Sequence, residues 1–562
     1  MKKRDNINIE SIIKQLIESK TVIFSFFFLS FSFILLSLFP FLGNALIDIV
    51  KTPVTVLKGS ELNVVSWQES LCESSFELAI LFFLFGVLFC FFQADKRISK
   101  EQNTLICRVS FIIYLLLTLI TLFFHEPWRD EIHSWFLAKN YSVSRLFYEM
   151  RYEGHFVLWY LILMPFAKTG FPIITLNIIS WVITCFAMGV FLKYSNFYVS
   201  TKISVLFSSA FFYWYPIVSR CYSLVAPLIF ILAIVYEKRN EKTLLFAVLL
   251  ALLSNTHAYL EGFVGIITLL FLIQDMVLPW KNYTTTEKKQ HIIALCIIVS
   301  GILIAIMQVV PAFFVQDKSE AVSFHLNLKA LNTFLSGSNM FKLFKPLFCF
   351  FILTVFAYLF IKDKYSFLIM VCSYLYMYLF AVCLYDAAIP NRALLWFIIL
   401  IFSLWISKIS VPQKSILILI CTLFVFRPSL NYNDLKEDYS SLQTTKSYIE
   451  KTYRSDTDIF INTGHNTATL ALMLSDNYSV HHIESLKQVE LFSFSGKYNP
   501  HIQKIFSEYI NDVIASGRFS TPFVLVSDCT FSNDDLQGIS YKVKEFPCIQ
   551  GGTLWLYEIM NN

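Results

Sequence analysis

Long apolar runs separated by short polar loops fill residues 22–427. The runs are apolar on every face, unlike the one-sided stripe of a surface helix in a soluble protein. Thirteen of them approach the roughly 20 residues that a helix needs to cross hydrocarbon: 22–45, 76–93, 105–124, 172–194, 202–219, 222–236, 243–258, 261–279, 291–314, 346–361, 365–384, 393–408 and 413–427. A further run, HFVLWYLILMPFAK at 155–168, is only fourteen residues long and reads as an interfacial or re-entrant helix. Beyond Pro428 the pattern changes. Helix-like stretches (SLQTTKSYIEKTY, NPHIQKIFSEYINDVIA) alternate with short apolar runs (DIFINT, PFVLVSD, TLWLYEIM), as in a small α/β domain. The fold class expected is a polytopic α-helical membrane protein of about 13 transmembrane helices with a small C-terminal α/β domain. Its segments are 1–104, with a polar N-terminus and two spans; 105–427, the main membrane module with a large loop at 125–171; and 428–562, the C-terminal domain.

Composition agrees. Of 562 residues, 56% are hydrophobic and 15% charged, against about 25% charged in soluble domains. That excludes a string of soluble domains, a disordered chain, a collagen-like repeat and a small disulfide scaffold. The charge is divided by the same boundary: residues 1–427 carry net +11 and residues 428–562 net −6. Such loop charges usually set topology and do not imply nucleic acid. With the N-terminus inside and 155–168 not spanning, the basic loops all fall on one side: Lys96, Arg97 and Lys100; Lys193 and Lys202; Lys238, Arg239 and Lys242; Lys281, Lys288 and Lys289; Lys362 and Lys364; Lys408 and Lys414. The loop 125–171 and the acidic domain are then extracytoplasmic. The basic N-terminus leads into a run too long for the core of a cleaved signal peptide, so it reads as a retained first span. The twelve cysteines show no metal-binding spacing. Whether Cys529 and Cys548 are bridged stays open.

This orientation gathers the unusual polar segments on the outer side: HEPWRDEIHSW, YEGHF, SRCY, NTHAYLEG, FHLNLK and YDAAIPNR. A helix over 128–140 would put Trp128, Ile132, Trp135 and Phe136 on an apolar stripe facing the membrane interface. Asp130, His133 and Ser134 would share the other face. A carboxylate beside hydrocarbon suits a general base acting on a hydroxyl, although acidic residues also favour a first helical turn for dipole reasons. Arg220 and Arg392 stand at outer span ends, where a guanidinium can snorkel or hold phosphate; Asp386 is an alternative partner for Arg392. Asp130, Glu131, His133 and His155 can in principle share a divalent metal, but no spacing is diagnostic, and no metal site is assigned. Walker A, GxGxxG and HExxH motifs are missing from the sequence.

Taken in order, these residues resemble the GT-C membrane glycosyltransferases. The nearest branch is the dolichyl-phosphate-mannose–protein mannosyltransferase and lipid A aminoarabinose transferase group. The resemblance covers about residues 105–430. It rests on the acidic pair Asp130-Glu131, the stretch Gly154-His155-Phe156-Val157-Leu158-Trp159-Tyr160, Arg220-Cys221-Tyr222, Thr256-His257-Ala258-Tyr259 and Arg392. Phe156-Val157 stands where the family has Pro-Pro, Arg392-Ala393 stands for its Arg-His, and two extra spans precede the motifs. The resemblance implies inverting transfer of a hexosyl or pentosyl group from a polyprenyl-phosphate sugar to a glycan, lipid or protein acceptor at the outer face of a bacterial inner membrane. It implies Asp130 as base or acceptor-orienting carboxylate and Glu131 as a second catalytic-site carboxylate that helps to place the acceptor or stabilise the site. Arg220, Tyr222, His257, Arg392 and His155 would bind the donor phosphate, and no cofactor is required. A transporter or flippase of lipid-linked glycans is the alternative; a sensor built on the outer domain is a third.

Overall fold

The computed structural model describes residues 19–38, 64–153, 155–309, 335, 345–384, 390–427, 429–462, 464–489, 506–519, 522–531, 536, 539–550 and 552–560. Among them, nine helices are long and apolar enough to cross a membrane: Lys20–Leu38, Ser74–Arg97, Lys100–Phe124, Ile174–Tyr194, Ala258–Val277, Thr285–Val309, Lys345–Lys362, Lys364–Cys383 and Val411–Lys436. The protein is a polytopic, helical membrane protein with a small mixed sheet at its C-terminal end.

The expected number of thirteen is corrected to nine among the described residues. The run 202–219 breaks into helix Val199–Leu206 and a wide turn at Ala210–Trp214. The runs 222–236, 243–258 and 393–408 yield helices Val225–Tyr236, Thr243–Ser254 and Leu395–Ile406, twelve residues each. Twelve residues rise about 18 Å, short of the roughly 30 Å hydrocarbon thickness. Helix Thr243–Ser254 still exposes Leu244, Leu245, Val248 and Leu252, whereas protein surrounds the last of the three, in which every residue from Leu395 to Trp405 is buried. Run length there reports burial and overstates the helix. Helix Leu158–Lys168 has eleven residues, too short for a straight crossing.

The two ends of the bundle differ in chemistry. Helix Lys100–Phe124 starts at a capping box, in which Ser99 Oγ accepts from the Gln102 amide and the Gln102 side chain accepts from the Ser99 amide. At this end, buried Lys202 donates to the Leu192 carbonyl at 2.9 Å and buried Lys414 to the Trp405 carbonyl at 3.4 Å. Each ammonium thus meets carbonyls in the last turn of a neighbouring helix, where a positive charge is favoured. At about 1.5 Å per residue, the far end of helix Lys100–Phe124 lies roughly 37 Å away, and the candidate site is there.

The C-terminal sheet has the order β2-β1-β3-β5-β4, with β1 at Ile459–Ile461, β2 at Val480–His482, β3 at Phe523–Ser527, β4 at Ser540–Phe546 and β5 at Leu554–Met560. Strand β1 lies parallel between β2 and β3; β5 runs antiparallel to both β3 and β4. Three strands coincide with the apolar runs DIFINT, PFVLVSD and TLWLYEIM. Helix His465–Leu474 connects β1 to β2 and packs near helix Arg129–Asn140. That contact corrects the expected interfacial stripe. Ile132 belongs to the same buried cluster as Ile459, Ala468, Leu472 and Val526, with Phe136 packed against it, while Trp128 and Trp135 join the core of the helical bundle. Protein covers the stripe from both sides. No disulfide joins Cys529 and Cys548.

A buried ion cluster joins the two parts. His125, directly after helix Lys100–Phe124, sets Nδ1 at 2.8 Å from Asp434 Oδ2 and Nε2 at 3.2 Å from Glu131 Oε2. Next to it, the Thr444 hydroxyl donates to Glu126 Oε1 at 2.6 Å. Burial disfavours a charged imidazole, but the two carboxylates outweigh it and push His125 up to about 10 from 6.5. Because the folded-state value is the higher one, the stabilisation is complete below pH 6.5 and is lost as pH rises toward 10. The expected outcome is a melting temperature, for purified protein in detergent, that falls across this window. In Asp434→Asn, which leaves only one carboxylate on the imidazole, the fall should begin at the same pH, end at lower pH and be smaller in total. Parallel wild-type and Asp434→Asn profiles would contradict the assignment.

Candidate functional site

Glu131 and Asp130 are adjacent in sequence and point into different chemistry. Both lie in the first turn of helix Arg129–Asn140, where a carboxylate is favoured. The Glu131 side chain is fully buried. Its Oε1 accepts from the Ser219 amide at 2.6 Å and from Asn177 Nδ2 at 3.2 Å. Its Oε2 accepts from the Trp128 amide at 3.1 Å and faces His125. Asn177 also donates to Ser219 Oγ and to the Ile217 carbonyl. Glu131 therefore fixes the turn that delivers Arg220, and a carboxylate so engaged is a positioning group.

Asp130 meets two guanidiniums. Arg129 Nε donates to its Oδ1 at 2.9 Å, and Arg220 Nη1 pairs with its Oδ2 at 2.6 Å. Arg220, itself buried, also donates through Nη2 to His155 Nε2. One guanidinium thus links the acidic pair to the YEGHF segment, residues brought together from 65 and 90 positions away in sequence. Arg392, three residues before the start of helix Leu395–Ile406, donates from Nε to the Tyr222 hydroxyl at 3.0 Å. Tyr222 in turn lies 3.3 Å from His257 Nε2.

The hydrogen bonds determine where two protons sit. The Tyr259 amide donates to His257 Nδ1 at 3.1 Å, so in the neutral ring the proton is on Nε2, directed at the Tyr222 oxygen. That oxygen accepts from both His257 and Arg392, which leaves the phenolic O–H as a donor. His155 accepts from Arg220 at Nε2, which puts its proton on Nδ1. Burial, joined by the charges of Arg392 and His133, pushes His155 down to about 3, so the ring stays neutral. Its Nδ1 is buried and has no hydrogen-bond partner among the described residues. Burial and the neighbouring His155, Arg392 and Arg220 hold His257 well below its ordinary value too. The rings of His155 and His257 stand 5.3 Å apart, and those of Tyr222 and His257 5.0 Å apart. Beneath them Gln308 ties the two loops together: it accepts from the Val157 amide at 2.7 Å and donates to Asn255 at 3.0 Å.

All seven expected site residues, Asp130, Glu131, His155, Arg220, Tyr222, His257 and Arg392, therefore belong to one connected cluster. Within it, Glu131 is bonded to Trp128, Ser219 and Asn177 and faces His125, and His257 faces the Tyr222 oxygen. The four groups that could in principle share a metal are divided: Glu131 turns toward His125, Asn177 and Ser219, while Asp130 turns toward the arginines. Among the described residues no group of three or more His, Cys, Asp or Glu is placed to hold a metal ion. Gly154, the segment FHLNLK and Asp386 lie outside the described residues. Sequence reasoning passed over His125, Arg129, Asn177 and Ser219 as site residues. Asn177 had a usable signal, being a polar amide inside an apolar run.

What the cluster can do chemically follows from its inventory. It offers two guanidiniums, a phenolic O–H and an imidazole N–H to an anion, with a carboxylate at its edge. No family model, no curated protein and no solved structure matches the chain.

Proposed function

We propose that the chain is an inverting glycosyltransferase of GT-C type that moves a sugar from a polyprenyl-phosphate donor to a hydroxyl-bearing acceptor. The observation that carries this reading is Arg220, which holds the Asp130 carboxylate and the neutral His155 at once, beside the Arg392–Tyr222 pair. An anion-binding donor set and a candidate base thus share one buried cluster at one end of a bundle of apolar helices. The prenyl chain would lie between helices and the activated sugar at their end. The positive-inside distribution of Lys and Arg supports placing that end outside a bacterial inner membrane, with the N-terminus in the cytoplasm.

In the proposed step an oxygen of the acceptor attacks the anomeric carbon from the face opposite the phosphate. Its proton passes to a carboxylate oxygen of Asp130. The bond from the anomeric carbon to the phosphate oxygen breaks, and the electron pair leaves with the polyprenyl phosphate. The charge that develops there is met by Arg392, the Tyr222 O–H and the His155 Nδ1–H, donors already in place before reaction. Arg220 holds Asp130 at the meeting point of the two substrates.

In a transfer assay with purified protein and polyprenyl-phosphate sugar, Asp130→Asn is expected to lower kcat by about 10²–10⁴-fold, the usual worth of a general base, at an unchanged melting temperature. Retained transfer would remove Asp130 from the mechanism. Tyr222→Phe, which keeps the ring and deletes the donor, is expected to lower kcat by about 10²-fold. A polyprenyl-phosphate sugar should also appear in mass spectra of lipids that co-purify in mild detergent. Movement of lipid-linked glycan across proteoliposomes with no sugar transfer would overturn the proposal in favour of a transporter.

A further inference from the structure

The short segment between helix Lys100–Phe124 and helix Arg129–Asn140 lies on the seam where the C-terminal domain meets the bundle. His125 crosses that seam to Asp434. The next residue, Glu126, makes a second crossing, and there the count of protons does not balance. Thr444 Oγ1 lies 2.6 Å from Glu126 Oε1 and 2.7 Å from Asp438 Oδ2. Both are ordinary O–H···O distances. A threonine hydroxyl has one proton to give, and an ionised carboxylate has none. One hydroxyl therefore cannot bond both carboxylates while both are charged. Whichever of the two it serves, its lone pairs face the other. That second contact is attractive only when the carboxyl brings a proton of its own.

The surroundings decide which carboxyl carries it. Asp438 is exposed, and water solvates its charge. Glu126 is partly covered, and its Oε2 is buried with no hydrogen-bond partner among the described residues. That arrangement is costly for a charged carboxylate and much less so for a neutral acid. The charged groups facing Glu126 are mixed. His125 on its own segment favours the anion, whereas Asp434 on helix Ser429–Lys436 and Asp438 just beyond that helix disfavour it. Burial is the largest effect, opposed by the Thr444 bond, and it pushes Glu126 up to about 7 from 4.5. With the acid form in place, Glu126 donates to Thr444 and Thr444 donates to Asp438, so that each short contact holds one proton.

This relay joins separate parts of the chain. Thr444 belongs to helix Leu442–Thr452, whose Leu442 and Ile449 lie in one buried cluster with Ile459 of β1 and Val524 of β3. The carbonyl of Asp438 accepts from the Ile549 amide at 3.0 Å, which ties it to the connection between β4 and β5. Glu126 stands on the bundle side, four residues before Asp130. We propose that Glu126, Thr444 and Asp438 form a proton-operated latch that seats the C-terminal domain on the membrane bundle, closed while Glu126 holds its proton and loosened when the proton is lost. After that loss the hydroxyl faces two anions and can hold only one. The latch stands whether or not the Asp130 cluster transfers sugar. Because the folded-state value of Glu126 is raised, its contribution is complete below pH 4.5 and is lost as pH rises through about 7. His125 acts later, since its contribution begins to fall only at pH 6.5. The interval from pH 4.5 to 6.5 thus separates Glu126 from His125.

The test is hydrogen exchange of the full chain in nanodiscs, corrected for the intrinsic effect of pH on amide exchange. In the wild type, protection over 125–128 and 438–445 should fall about tenfold across that interval. In Glu126→Gln, whose amide can donate to Thr444 at every pH, protection should hold across the interval and fall only above it, as His125 titrates. Flat wild-type protection across the interval would overturn the latch without recourse to any variant. Identical wild-type and Glu126→Gln profiles would overturn it as well. Millimolar calcium added above pH 7 should leave the exchange unchanged. A calcium-dependent gain in protection that Glu126→Gln abolishes would mean that these oxygens gather round a cation in place of a proton, and would also overturn it.

Discussion

A single buried carboxylate holds the junction on which the site depends. Glu131 accepts from two backbone amides, those of Trp128 and Ser219, from the Asn177 side chain, and from His125. Each contact fixes a different piece of chain: the start of helix Arg129–Asn140, the turn before Arg220, the helix Ile174–Tyr194 and the exit of helix Lys100–Phe124. A buried charge is tolerated only when its lone pairs are satisfied, so these four pieces must arrive together. Removing one partner from such a pair typically costs about 3–5 kcal/mol. Asp130 gains its position from this arrangement without contributing to it, since it is the next residue in a helix whose first turn is already pinned. His125 extends the same constraint to Asp434 and so to the entry of the C-terminal domain.

The bundle separates structural charge from chemical charge by distance. At one end, Lys202 and Lys414 are used up on helix carbonyls, and Asp95 is engaged by the Ser200 amide and hydroxyl. Arg239 and Asp275 pair there as well. These contacts close helix ends and leave little to offer a ligand. At the other end the guanidiniums are shared among side chains, and the Nδ1–H of His155 and the O–H of Tyr222 remain as donors. Both ends are rich in ionisable groups, but at this one arginine, imidazole, phenol and carboxylate side chains meet in a single cluster, which is why the site is placed there.

How far the sequence foretells this varies with physical cause. The strands β1, β3 and β5 are legible because each has a neighbour on both sides and the apolar runs DIFINT, PFVLVSD and TLWLYEIM mark them. The two strands that escape notice, β2 and β4, are the edges of the sheet. VHH and SYKVKEF carry no apolar run, because an edge strand buries less and β4 is exposed over Lys542–Glu545. The thirteen expected spans shrink for a related reason: an apolar run measures what surrounds the chain, and segments such as 393–408 are surrounded by protein. The membership of the Asp130 cluster was legible, since each member stands in a short polar island at the end of an apolar run. The division of labour between Asp130 and Glu131 was not. It depends on Asn177 and Ser219, 46 and 88 residues further along the chain, and local spacing carries no record of them.

The choice of arginine at position 220 follows from what the position must do. The guanidinium presents several N–H groups in a rigid plane, and here two of its nitrogens serve two different acceptors, a carboxylate and an imidazole. A lysine has one nitrogen on a flexible stem and could hold either group but not both in a fixed relation. By accepting from Arg220, His155 is forced to carry its proton on Nδ1. The same contact that anchors Asp130 thus decides which face of His155 is a donor. In the proposed reaction the base for the acceptor and a donor for the departing phosphate are set by one residue. The geometry on the two sides of the anomeric carbon is then coupled through Arg220, before either substrate arrives.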